Sequence, residues 1–316
     1  MTRVAAIDIG TNTVLLLVAE KREDGSLAAV EERATITRLG EGVDKTRALA
    51  PAAIARTNEC LSQYAAVIRA HGVDRVAVVG TSAMRDARGG EEVREHVSRA
   101  MGVEARVISG DEEARLTFSG AVSGLSLDGT RNVTVFDIGG GSTEVVHGTL
   151  DAHGAAESIA FARSFDVGSV RLTERLVKGD PPTNDELEAL RASADAAFAA
   201  VPALPADTRE VREVVGIAGT MTTLAAVSLK MVPYDGARVH GHMMLRREVD
   251  QCVRDLAALR LDERRQVAGL EPKRADVIIA GGTIALALLE RLDVNRVRIS
   301  DRGVRWGLAE RLARES

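Results

Sequence analysis

Aromatic side chains are scarce in this 316-residue chain: 3% of positions, with one Trp, two Tyr and five Phe. A chain of this length buries a large core, and here Ala, Val, Leu and Ile must build it. Cysteine is almost absent. Cys60 and Cys252 lie far apart with no Cys or His at ligand spacing, which excludes a disulfide framework and a zinc site. They read as two inert, buried thiols in a reducing compartment. No apolar run reaches membrane-spanning length, stretches such as residues 277–280 and 284–289 falling well short, and Asp8 interrupts the N-terminal run where a signal peptide would continue. The expectation is a cytoplasmic protein without a membrane partner. Positive charge is not in excess either: 41 basic against 46 acidic residues leave −5, whereas a general nucleic-acid binder carries a dense basic face. A small or linear anion held in one local cleft stays compatible with that balance. The 45% apolar content excludes disorder, and no short period points to a fibre.

Familiar catalytic signatures are missing as well. There is no G-x-x-x-x-G-K-[ST] and no G-x-G-x-x-G. There is no G-x-S-x-G elbow and no H-E-x-x-H. None of the six histidines (71, 96, 147, 153, 240 and 242) precedes an Asp, and they read as surface or loop residues.

What the chain does contain is an internal repeat. Residues 3–18, with Asp8-Ile9-Gly10-Thr11-Asn12-Thr13, can be laid over residues 132–146, with Asp137-Ile138-Gly139-Gly140-Gly141-Ser142-Thr143. Each copy is an apolar strand, Asp-Ile-Gly, a hydroxyl-rich turn and a second strand, which is a hairpin signal. In this overlay the second turn is one residue longer. Two related α/β halves follow, with the Gly/Ser-rich residues 120–131 as the crossover.

Further elements alternate between strand and helix. Helices are predicted over 49–70, 91–101, 109–120, 184–200 and 303–314, and strands over 75–79, 105–108, 211–217 and 297–299. Residues 275–280 read as one more strand, feeding a Gly281-Gly282-Thr283 turn and a helix to Leu292, as residues 211–217 feed Ala218-Gly219-Thr220.

A Gly/Ser/Thr turn after a buried strand exposes backbone N–H groups in a concavity that suits phosphate oxygens. Two such turns follow an Asp at the same offset, and a strand-end Asp needs a cleft, a metal or a partner. Asp8, Asp137 and Glu144 form a hard-oxygen set suited to Mg²⁺ and poorly to Zn²⁺. Glu112 at a helix start is a helix-dipole partner. Glu113 is a candidate for holding a water in line with phosphorus, and Arg85 for balancing charge on phosphate oxygens. On the residues alone, a structural role fits Arg85 and Glu113 equally well.

The paired Asp-Ile-Gly hairpins with Gly219-Thr220 resemble the duplicated ribonuclease-H-like fold of actin, sugar kinases and heat-shock chaperone ATPases. More narrowly, AIDIGTNTVLLLVAE, RLGEGVD, VVGTSAMRDA, VISGDEEARLTFSGA, FDIGGGSTEVV, DVGSVRLTE, RADVIIAGGTIAL and ISDRGVRWGLAE resemble, in order from residue 5 to about 310, the exopolyphosphatase / guanosine pentaphosphate phosphohydrolase family. The resemblance implies an α/β protein of two ribonuclease-H-like, actin-like domains with an active-site cleft between them. Its domains would be residues 1–124, with a C-terminal helix 300–316 packing back, and residues 125–299.

It further implies a phosphoanhydride hydrolase that uses Mg²⁺, with Mn²⁺ a possible substitute, and that works as a homodimer. Terminal phosphate would be released from inorganic polyphosphate; the alternative substrate is guanosine pentaphosphate. Glu113 matches the proposed base for the attacking water. Asp137 and Glu144 match the metal-associated acids, and Asp8 the first-loop acid. Asn12, Thr13, Arg85, Gly140, Gly141, Ser142 and Thr143 match the phosphate-contacting set, to which the turn chemistry adds Thr11, Gly139, Gly219 and Thr220. The resemblance is to a short form without the C-terminal HD-like domain of long members, and Trp306 stands where the last motif usually has an acid. Readings of a different class are an actin-like ATP-binding regulatory protein or kinase, and a catalytically silent nucleotide sensor.

Overall fold

The structure is a computed structural model that describes residues 2–23, 25–127, 129–151, 156–202 and 211–315. The chain forms two compact units, Met1–Gly120 with Val304–Ser316, and Ala121–Gly303. The limits expected from sequence, 124/125 and 299/300, stand four residues from these. His153 lies outside the described residues.

In chain order the first unit contains β1 (Arg3–Ile9), β2 (Thr13–Lys21), β3 (Leu27–Ile36), α1 (Val43–Thr46), α2 (Pro51–Ala70), β4 (Arg75–Gly80), α3 (Ser82–Asp86), α4 (Gly90–Met101), β5 (Ala105–Val107) and α5 (Gly110–Val122). The second contains β6 (Thr130–Ile138), β7 (Thr143–Leu150), β8 (Ala156–Phe165), α6 (Ser169–Leu176), α7 (Asn184–Phe198), β9 (Val211–Ile217), α8 (Ala218–Ser228), α9 (Gly236–Val239), β10 (Met243–Leu245), α10 (Arg246–Ala257), α11 (Leu261–Arg264), α12 (Ile278–Arg291) and β11 (Arg296–Ile299). The chain then returns to the first unit as α13 (Val304–Arg314).

The two sheets share one plan. Their orders are β3-β2-β1-β4-β5 and β8-β7-β6-β9-β11-β10. In each, an antiparallel three-strand meander comes first. A strand parallel to its first member follows, β4 on β1 and β9 on β6. This is the ribonuclease-H-like order, present twice. Alternation along β1 divides the first unit's apolar residues between two faces. Ala5, Ile7 and Ile9 face the core of α2 and α4, whereas Val4 and Ala6 join Trp306, Leu308 and Leu312 of α13. Trp306 is thus a core residue, and its indole N–H also donates to Glu32 (3.4 Å). By the same parity Asp8 falls on the α13 side of the sheet.

Three expectations are corrected. The hairpin turns are equal in length: Ile9 pairs with Val14 and Ile138 with Thr143, each across four residues, and Gly10 N–H to Thr13 O (3.1 Å) matches Gly139 N–H to Ser142 O (3.0 Å). Thr13 is therefore equivalent to Ser142, and Leu15 to Glu144. The overlay on identical threonines, Thr13 on Thr143, had created the apparent insertion. Second, residues 275–283 contain no strand: 275–277 are a turn that leads into α12, and Gly281-Gly282-Thr283 lies inside that helix. That helix is buried on every side against α6, α7, α8 and α10, so its apolar run has no amphipathic period to separate it from a buried strand. Its glycines mark crossings: a Cβ on Gly281 would stand 2.7 Å from the Thr220 hydroxyl, and one on Gly282 would meet Val253. His147, read as a surface or loop residue, instead sits within β7, with Nδ1 2.8 Å from the Thr134 hydroxyl and its ring tilted on Phe161. Burial lowers its pKa, with a hydrogen bond at the Pro202 backbone opposing.

Candidate active site

In the first unit the β1–β2 turn is held by its carbonyls. Asn12 O accepts the N–H of Thr37 and of Arg38 (both 3.0 Å), and Thr11 O accepts that of Gly40 (2.8 Å). These donors all follow β3. Gly40 has no room for a side chain, because a Cβ there would collide with Thr11. With the carbonyls turned back, the amides of Thr11 and Asn12 have no acceptor among the described residues. Asn12 is 7% exposed and its Oδ1 also lacks a partner there. Buried polar groups left so are costly unless a ligand meets them.

The second unit repeats the device more tightly. Gly139 O accepts Ser169 N–H (2.9 Å), and Gly140 O accepts Val170 N–H (2.9 Å) and Arg171 N–H (3.1 Å), all from the start of α6. Gly168, just before them, packs directly on the Gly140–Gly141 backbone, where a Cβ would clash. Gly140, Gly141 and Ser142 are buried residues, and no acceptor takes their amides among the described residues. Three successive amides of this kind make an anion cradle. Thr143 braces it, donating its hydroxyl to Val167 O (2.6 Å).

Asp137 and Glu144 are direct cross-strand partners at the mouth of this hairpin, so both side chains stand on one face of the sheet. Glu144 is 1% exposed and accepts the Ser164 hydroxyl (2.6 Å). No group of three or more His, Cys, Asp or Glu suited to a metal stands together among the described residues. Mg²⁺ keeps several waters and needs only one or two carboxylates plus substrate oxygens, so this oxygen pair beside an anion cradle fits it. The first hairpin has Leu15 where the second has Glu144, leaving Asp8 as its single acid.

Each hairpin is flanked by a strand that runs into a helix without a side-chain cap. After β9, α8 opens at Ala218-Gly219-Thr220, so the expected turn is the first turn of a helix. An uncapped helix start attracts anions. Ala218 has φ of 63°, an unusual strain for an L-residue. The Thr220 hydroxyl donates to Ile138 O (3.3 Å), which ties α8 to the base of the Asp137 hairpin. The Arg274 guanidinium lies on Gly219 and fills the space of a side chain there. Burial lowers the Arg274 pKa, with Glu271 and Tyr234 acting in the opposite sense.

After β4, α3 carries Arg85. Its Nη1 donates to Glu113 Oε2 (2.9 Å) and to Ile108 O (3.1 Å). Glu113 sits in the first turn of α5, and its side chain is only 8% exposed. The fold therefore joins the two candidates as a partly buried ion pair, which orients the carboxylate. Glu112 turns elsewhere, to Arg106 and to Arg311 of α13 (2.9 Å). Burial opposes its ionisation, but those hydrogen bonds outweigh it and hold the carboxyl below its ordinary value.

Within the first unit Asp8, Thr11, Asn12, Thr13, Arg85 and Glu113 gather at the ends of β1, β4 and β5. Within the second, Asp137, Gly139–Thr143, Glu144, Gly219 and Thr220 gather at the ends of β6 and β9. Gly168, Ser164 and Arg274 escaped the residue-by-residue reading. Gly168 and Arg274 lay inside quoted motifs, DVGSVRLTE and RADVIIAGGTIAL, yet only the fold shows what they touch.

The Ppx/GppA phosphatase family model matches residues 17–315. The chain belongs to this family. Its members are phosphoanhydride hydrolases, and two actin-like α/β units are their fold. Exopolyphosphatase 2 of Mycobacterium tuberculosis is 37% identical over 330 residues, with 99% of each chain covered. The guanosine-5'-triphosphate,3'-diphosphate pyrophosphatase of Vibrio atlanticus is 30% identical over 98% of this chain and 59% of its own length. Among solved structures, the Aquifex aeolicus family member superposes with a TM-score of 0.81 at 34% identity, covering 100% of this chain and 99% of the other.

Proposed function

We propose that this protein is an exopolyphosphatase that releases terminal orthophosphate from inorganic polyphosphate by in-line attack of water. The observation that carries the reading is the row of amides at the buried residues Gly140, Gly141 and Ser142 that no acceptor takes among the described residues, with the carbonyls of Gly139 and Gly140 tied back to α6. Those amides grip non-bridging phosphate oxygens without a counter-charge that moves. Glu113 holds the attacking water and accepts its proton, while Arg85 fixes the carboxylate and offers positive charge to phosphate oxygens.

Asp137 and Glu144 would hold Mg²⁺, with Mn²⁺ as a substitute and Asp8 contributing through water. When bound, the ion supplies charge neutralisation on the phosphate oxygens. The similarity to Mycobacterium tuberculosis exopolyphosphatase 2 along the full length supports the polymer as substrate. Guanosine pentaphosphate is the second candidate, supported by the Vibrio atlanticus relative.

A homodimer in the cytoplasm belongs to the same proposal. No helix among the described residues is long and apolar enough to cross a membrane, and the net charge of −5 disfavours nucleic acid as partner. Phosphate release measured in parallel on polyphosphates of several lengths, guanosine pentaphosphate and ATP tests the reading, which ATP as sole substrate would overturn. Glu113→Gln should abolish turnover and leave ligand binding largely intact; undiminished hydrolysis removes Glu113 from the mechanism.

A further inference from the structure

The two acids of the second hairpin belong to a longer row. Glu144 pairs across the ladder with Asp137 on one side and with Ser164 of β8 on the other, so Asp137, Glu144 and Ser164 stand side by side on one face of three adjacent strands. Their neighbours along the chain, Phe136, Ile138, Val145 and Phe165, point the opposite way into the core. The first unit supplies an internal comparison, because its matching row is Asp8, Leu15 and Ala34. Strand order and turn length are the same there, yet the hydroxyl is missing together with the second carboxylate. Ser164 thus goes with Glu144, not with the hairpin as such.

The contact within the row is short. Ser164 Oγ donates to Glu144 Oε1 at 2.6 Å, the separation of a hydroxyl bound to an ionised carboxylate. Glu144 is buried, which limits the water that could compete for that oxygen. The bond fixes the rotation of the carboxylate and commits Oε1. A carboxylate grips a cation through one oxygen or through both. Ca²⁺ gathers about six to eight oxygens in flexible geometry and readily takes both from one carboxylate, whereas the smaller Mg²⁺ demands near-ideal octahedral order. The narrow bite of a chelating carboxylate does not suit that order. With Oε1 engaged by Ser164, a cation beside Asp137 meets Glu144 through one oxygen and not through a chelating pair.

We infer that Ser164 is a specificity-determining residue: by holding Oε1 it keeps Glu144 a one-oxygen ligand, so that the Asp137–Glu144 pair takes Mg²⁺ in preference to Ca²⁺. This rests on the reading of that pair as the cation site and adds the residue that decides which cation enters.

The test reads binding directly. Mn²⁺ loses its free-ion paramagnetic resonance signal on binding, and Mg²⁺ and Ca²⁺ are titrated against it as competitors in the wild type, Ser164→Ala, Ser164→Thr and Asp137→Asn. In Ser164→Ala the Mg²⁺ affinity should fall by about 10- to 100-fold, the effect of removing the hydrogen-bond partner of a metal ligand. Ca²⁺ affinity should hold or rise, so the preference for Mg²⁺ falls by at least the same factor. Ser164→Thr keeps the hydroxyl and should stay within a few-fold of wild type. Ser164→Cys, close in shape and a weak donor, replaces Ser164→Ala if that protein does not fold, with a loss in the same direction. An unchanged preference in Ser164→Ala, an equal loss for both ions, or a Ser164→Thr protein that behaves as Ser164→Ala overturns the inference. If Asp137→Asn loses Mn²⁺ while the preference survives in Ser164→Ala, this inference alone falls. Mn²⁺ binding that is absent from the wild type, or equal in wild type and Asp137→Asn, overturns the cation reading of the pair and this inference with it.

Discussion

Gly168→Ala isolates the support of the phosphate turn from its chemistry, because Gly168 carries no functional group. Its φ of −144° and ψ of 161° are extended backbone that alanine adopts readily, so conformational strain makes no contribution. The collision does. A Cβ at this position stands 2.6 Å from the Gly141 carbonyl carbon and nearer still to the Gly140 carbonyl group, all of it backbone with no rotamer to yield. An ordinary contact begins near 3.4 Å, so the turn must retreat by at least about 0.8 Å. That movement pulls Gly140 O from Val170 N–H and Arg171 N–H, its two donors. Overpacking of this kind costs about 1–3 kcal/mol of stability. A displacement approaching 1 Å at a positioning element lowers turnover by about 100-fold.

The assay is phosphate release from tripolyphosphate, with a thermal or urea unfolding curve for the same preparation. Gly90→Ala serves as the control. Its added methyl meets nothing nearer than 3.5 Å, and it should behave as wild type in both measurements. Wild-type kcat/KM in a Gly168→Ala protein of wild-type stability would show that the carbonyl ties do not position the amides, and the cradle argument would fail.

Two further predictions concern titration. The His147 pKa is depressed in the folded protein, so stability is full above the ordinary histidine value of 6.5 and falls as pH drops towards the folded value, by at most about 1.4 kcal/mol per pH unit. Urea midpoints of wild type and His147→Leu between pH 5 and 8 should diverge on the acid side; parallel curves would refute the assignment. For Glu112, also depressed, the contribution is present above about pH 4.5 and is lost as pH falls through the folded value. Glu112→Gln should cost ~1 kcal/mol at pH 7 through loss of its pairs with Arg311 and Arg106, with kcat unchanged. A large fall in kcat would place Glu112, not only Glu113, in the reaction.

Local features were legible in the sequence and distant contacts were not. The Asp-Ile-Gly hairpins could be read because strand, turn and strand are contiguous and strongly apolar. The third strands, β3 and β8, passed unread: both are edge-side and largely exposed, and Glu31, Glu32 and Arg33 interrupt the apolar alternation of β3. α12 was misread because helices surround it completely and erase the amphipathic period. Arg85 and Glu113 were each legible as candidates, yet 28 residues separate them, and only the placement of α3 beside α5 makes them a pair. Gly168 and Arg274 owe their importance to what presses on them, Gly140 in one case and Gly219 in the other, and no spacing rule encodes either neighbour.

The matched turns carry one consequence for how the twin frames divide their labour. Opposite Asp8 across the ladder stands an aliphatic chain, and opposite Asp137 a carboxylate. Two scaffolds with the same strand order and the same turn length thus differ by one acidic side chain beside the turn. In the proposed reaction a cation would be drawn to the doubly acidic copy, and the singly acidic one would repel an incoming polyanion less. One side chain, fifteen residues from the start of the protein, is enough to make a symmetric framework work asymmetrically.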